Sequence, residues 1–64
     1  MIRKNIELTI DEVHIIHNCL NELCNGIDIP EFELRLGFTI DEARKLLERT
    51  SRIYREMNNN LKTY

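Results

Sequence analysis

Apolar residues recur at steps of three and four along two long stretches of the chain, the period of an amphipathic helix. The first stretch carries Ile10, Val13, His17, Leu20 and Cys24, widened by Ile16, Cys19, Leu23 and Ile27. The second carries Ile40, Ala43, Leu47, Thr50, Tyr54, Met57 and Leu61, with Leu46 and Ile53 on its flank. Between them, Phe32 to Leu36 has room for about two helical turns at 3.6 residues each, too few to stand unpacked. Ahead of the first helix, Ile6, Leu8 and Ile10 alternate weakly with Glu7 and Thr9. That spacing fits a short strand or an extended arm, and a lone strand has no mate inside the chain.

The boundaries carry their own signals. Thr9 with Glu12, and Thr39 with Glu42, read as capping boxes, and Leu8/Val13 and Phe38/Ala43 as hydrophobic staples. Asn25-Gly26 is expected to stop the first helix, with Gly26 in the left-handed C′ conformation. Asp28 and Glu31 are expected to cap the short helix, with Pro30 in its first turn. Gly37 ends it. Asn58-Asn59-Asn60 are poor helix formers and mark fraying. The chain therefore divides into an arm or short strand (1–8), a three-helix domain (9–57) and a frayed tail (58–64). The fold class is all-α: long helix, short helix, long helix. The expected core is Ile10, Val13, Ile16, Leu20, Leu23, Ile27, Phe32, Leu36, Phe38, Ala43, Leu46, Leu47 and Ile53.

Helix lengths decide where a partner is needed. Ile10–Asn25 measures about 24 Å and Ile40–Met57 about 27 Å at 1.5 Å per residue. A seam that runs on to Leu61 overhangs the first helix. Ile53, Tyr54, Met57 and Leu61 then form the expected partner interface, and a homodimer or hetero-complex follows. A chain of 64 residues buries only about 60% of its unfolded surface, which makes outside help welcome.

The turn between the last two helices carries a resemblance. Phe32 to Leu47, with Leu36-Gly37-Phe38-Thr39 at the turn and Ala43 and Leu46 as anchors, looks like the helix-turn-helix core of bacterial regulators. With one helix ahead of it, the whole resembles a three-helix domain of that family. The resemblance implies DNA contact through the start of the second helix, by Thr39, Arg44, Lys45, Arg49 and Arg52, with Ile40, Asp41 and Glu48 beside them. Two features depart from the pattern. Glu33 occupies a position that the family fills with a small residue, and Asp41 and Glu42 set carboxylates where phosphates approach. The run Leu20 to Ile27, followed by Glu31-Phe32-Glu33, is also similar to short bacterial proteins of no known function.

Charge and chemistry narrow the classes. The net charge is −2, against a protein that coats nucleic acid. Two basic and five acidic residues precede Glu31, against seven basic and six acidic from there on. Arg44, Lys45, Arg49, Arg52 and Arg55 make a basic side on the last helix, with Glu48–Arg52 and Arg52–Glu56 as expected helical pairs. Cys19 and Cys24, five apart on one helix, are out of disulfide reach and read as buried free thiols of the cytoplasm. His14 and His17 lack a third ligand, so they read as an edge residue and a half-buried one rather than a metal site. The sole serine, Ser51, lies mid-helix. No catalytic residue, cofactor site, signal peptide or membrane span is expected. The function expected is a small non-enzymatic interaction module of the immunity, antitoxin or adaptor kind, with itself or another protein as partner. The alternative is a helix-turn-helix DNA-binding regulator.

Overall fold

Two long helices run side by side, joined by a short helix and two tight turns. A computed structural model describes residues 1–62, and side chains through Asn60. Helix α1 spans Ile10–Asn21, a π-helical turn covers Glu22–Gly26, α2 spans Phe32–Leu36, and α3 spans Ile40–Lys62. Both expected capping boxes form. The Thr9 hydroxyl accepts from Glu12 N–H at 3.1 Å while Thr9 N–H donates to Glu12 Oε1 at 2.9 Å. Thr39 and Glu42 repeat the pattern at 3.0 and 3.1 Å.

The first helix ends differently from its sequence signal. Gly26 is not left-handed; Gly37 is the described glycine with positive φ. The helix widens instead: Glu22 N–H is shared between the carbonyls of Asn18 and Cys19, and Ile27 N–H reaches the Glu22 carbonyl, five residues back, at 3.0 Å. The carbonyls left open at a helix end are met by this wider turn. Ile27 then turns extended.

The short helix also starts late. No side-chain cap from Asp28 forms. Glu31 takes the left-handed conformation (φ 53°, ψ 45°), and helix begins at Phe32. Proline biases the preceding Ile29 toward extended backbone, so the reversal falls on the residues after it. Gly37 (φ 82°) ends α2 as expected, its N–H bonding the Glu33 carbonyl at 2.8 Å. The Phe32 and Phe38 rings meet edge-on at 5.7 Å across the glycine, tying α2 to the start of α3.

At the N-terminal end the arm is present, of the two forms expected there, and at the C-terminal end the expected fraying is corrected. Residues 1–9 carry no regular secondary structure, and no strand forms among the described residues; a strand here has no neighbour to hydrogen-bond. At the other end α3 does not fray at Asn58–Asn60 but continues to Lys62. Its 23 residues make it about 35 Å long. Residues 63 and 64 of the expected tail lie outside the described residues.

Packing is dominated by α1 against α3, with the π turn against both and no comparable contact from α2. The molecule measures 46 × 30 × 15 Å, with a radius of gyration of 13.7 Å. A compact domain of this length has a radius of about 10.7 Å. The two long helices pack as a single pair, and among the described residues no third long helix lies over either face of that pair. The helices therefore form one layer, where a domain ordinarily closes its core between two.

The core reflects this. Val13 (4% exposed) and Ala43 (3%) are buried as expected, together with Cys24 and Thr50, and among the described residues no large side chain is fully buried. Ile10, Ile16, Leu20, Leu23, Phe32, Phe38 and Leu47 are half-buried. Ile27, Leu36, Leu46 and Ile53, all expected inside, are exposed. Leu36 sits on the short helix, which packs little on the long ones, and Leu46 and Ile53 flank the α1–α3 contact, lining an open groove with Val13 and Ile16. Cys19 is likewise exposed rather than buried.

Candidate interaction surface

The α1–α3 pair has two unlike edges. One edge is polar. His14 Nδ1 and Tyr54 Oη share a hydrogen bond of 3.1 Å, their rings edge-on at 5.0 Å. One turn along α1, His17 Nδ1 and Ser51 Oγ share another of 3.1 Å. Both imidazoles are thus engaged by α3, and no group of three metal-ligating side chains occurs among the described residues. The Ser51–His17 contact pairs a hydroxyl with a base, but the backbone N–H groups around Ser51 lie inside α3. None is free to face a developing oxyanion. Spacing along the sequence missed this contact because its partners lie 34 residues apart.

The other edge is apolar. Ile6 and Leu8 of the arm, Val13 and Ile16 of α1, and Leu46, Thr50, Ile53 and Met57 of α3 line an open groove of about 700 Å³. Its charged neighbours are Lys4 and Arg49. Thr50, the one buried polar residue among those described, donates its hydroxyl to the Leu47 carbonyl at 3.0 Å, so it brings no unpaired group to the floor. Leu46 (44% exposed) and Ile53 (42%) stand seven residues apart, two helical turns, on the same flank of α3. Beyond Leu46 the groove gives way to a second hollow lined by Leu20, Phe38, Glu42, Ala43 and Leu46.

The expected interface residues therefore separate. Ile53 and Met57 line the groove, whereas Tyr54 turns to the opposite edge and bonds His14. The side chain of Leu61 lies outside the described residues. The apolar flank Leu46 and Ile53 was visible in the sequence, offset from the seam that meets α1.

Of the residues expected to touch DNA, Lys45, Arg49 and Arg52 stand at steps of four and three and share one face of α3, whereas Thr39 and Arg44 are engaged elsewhere. The Thr39 hydroxyl is taken up in the cap, accepting from Glu42 N–H and donating to Glu42 Oε1, both at 3.1 Å. Arg44 pairs with Asp41 at 3.6 Å, the one side-chain ion pair among the described residues; Glu48–Arg52 and Arg52–Glu56 do not form. Lys45 and Arg52 are exposed. Arg49 stands beside Arg3 and Lys4 of the arm. At 3.6 residues per turn Arg44 and Arg49 point about 140° apart around α3.

Two carboxyls are electrostatically distinct. Glu12 is held below the ordinary glutamate range, chiefly by the Thr9 backbone N–H and then by its hydroxyl, against a small opposing effect of desolvation. Glu42 is lowered the same way by Thr39, with Lys45 adding a minor share. Both serve helix starts. No helix among the described residues is long and apolar enough to cross a membrane. No protein-family model matches the chain, and neither a curated protein nor a solved structure matches it.

Proposed function

We propose that the chain is a protein–protein interaction module, of the adaptor, immunity or antitoxin kind, that works through the apolar edge of its α1–α3 pair. One observation carries the reading: the single helical layer leaves a continuous apolar groove from Leu8 to Met57 uncovered, and among the described residues no large side chain is fully buried without it. Contiguous apolar surface of this kind marks interaction sites, whereas scattered exposed apolar residues do not. Thr50 on its floor brings no unpaired group, because its hydroxyl is already satisfied within α3, and the polar side chains along it, Lys4, Asn5 and Arg49, are exposed ones.

The test places a photo-crosslinking amino acid at position 53 or at position 15 in the full chain, in cells. Ile15 is also exposed but does not line the groove. A covalent protein adduct is expected from position 53 and not from position 15. Absence of adducts from position 53 contradicts the proposal. Salt-sensitive retardation of duplex DNA, abolished by Lys45→Glu, would replace it with the helix-turn-helix reading.

A further inference from the structure

We infer that the occupant of the groove is a second copy of this chain, laid across it antiparallel about a two-fold axis to make a four-helix, two-layer bundle. The inference rests on the groove being an interaction surface and adds the identity of what fills it.

The first argument is area. The chain exposes 5754 Å². A folded monomer of 7.7 kDa exposes about 4,300 Å², so the excess is about 1,400 Å². Obligate homodimers bury roughly 2,000–5,000 Å² in total, about half from each chain. Part of that surplus belongs to the extended arm, where Met1 and Ile2 are fully exposed, and the rest, on the uncovered helices, is of the order that one such interface removes.

The second argument is shape. One layer, the α1–α3 pair, becomes the ordinary two-layer architecture when a layer of the same kind is set on it. Four helices packed this way, with short connections, form a bundle whose core comes from facing stripes.

The third argument is self-complementarity. A two-fold contact places one patch against itself reversed, so the patch has to be apolar at both ends. It is: Ile6, Leu8 and Met57 lie toward one end, and Leu20, Phe38 and Leu46 lie at the other. Leu46 and Ile53 flank the buried Thr50 on either side. Reversal about a point near Thr50 brings Leu46 of one copy to Ile53 of the other, apolar to apolar. Arg49 and Lys4 line the groove; the two Arg49 side chains approach each other near the axis, and long side chains of this kind keep their charges in water while their stems cover apolar surface. A net charge of −2 opposes the pairing of two copies only weakly.

Sedimentation equilibrium of the full chain at micromolar concentration, with isotope-filtered NOEs from a mixed labelled and unlabelled sample, tests this. Twice the 7.7 kDa chain mass is expected, with cross-chain contacts between Leu46 and Ile53 methyls. Ile53→Glu should halve the mass and Ile15→Glu should leave it unchanged. The NOEs decide the matter should Ile53→Glu fail to fold. A single-chain mass, or cross-chain NOEs from Ile15 or Leu34 in place of Leu46 and Ile53, overturns the inference. A single-chain mass together with an adduct from position 53 to a different protein removes the second copy and keeps the interaction surface. A single-chain mass with no adduct removes both.

Discussion

The two glycines look alike in the sequence, each following a helix, yet they do different work. Gly37 sits at φ 82° with open space where a Cβ would go. Gly37→Ala should therefore cost about 1 kcal/mol, all of it backbone strain. Gly26 has no positive φ, and a Cβ there would meet only the carboxyl end of the flexible Glu22 side chain. Gly26→Ala should gain about 0.5 kcal/mol from helix propensity. Glu31 is the reverse case, a side-chain-bearing residue at φ 53°. Glu31→Gly should gain about 0.5 kcal/mol, the relief of left-handed strain less the added freedom of the unfolded chain. Urea midpoints of the three variants, taken at one chain concentration, check these signs; a stable Gly37→Ala or a weakened Glu31→Gly contradicts the turn geometry. Only Gly37 was legible beforehand. Gly26 was misread because a π turn and a glycine cap answer the same open carbonyls, and Glu31 was missed because a proline's effect on the residues after it is not local enough to score.

At the scale of elements, the helix starts were the most legible feature, since a capping box is complete within four residues. Thr39→Ala should cost about 1 kcal/mol. The caps also set a pH dependence. Glu12 and Glu42 bind protons less readily folded than unfolded, because the folded carboxylates accept Thr9 and Thr39 N–H groups. Their contribution is complete above the unfolded carboxyl value and is lost as pH falls through the lowered folded one. The denaturation midpoint should therefore drop on acidification below the ordinary glutamate range, and Glu42→Gln should flatten that drop; an unchanged acid limb in the variant would contradict the cap's role. Which edge of α3 meets α1 was less legible. Thr50, Tyr54 and Met57 step evenly along one seam, but packing splits them, Tyr54 to His14 and Met57 to the groove. Periodicity gives a stripe and not its partner, so the His17–Ser51 contact and the exposure of Leu46 and Ile53 needed the tertiary arrangement.

For the whole molecule, the sequence held the all-α class and the suspicion of an overhang, but it placed the unpartnered surface at the far end of α3 alone. The structure extends that surface along the whole edge, from the arm through Ile16 and Leu46 to Met57. The reason is that α1 and α3 form a single pair, which leaves one side of each long helix uncovered along its length, whatever their relative lengths. Assembly through this edge couples folding to association, and a chain stabilised by its own copy melts at a temperature that depends on chain concentration. Thermal unfolding of the full chain across a hundredfold range of concentration, about 2.7 kcal/mol of mass-action stabilisation, is the most direct measurement. A midpoint that rises steadily with concentration is the result that pairing through the Leu46–Ile53 face predicts; a midpoint independent of concentration contradicts it.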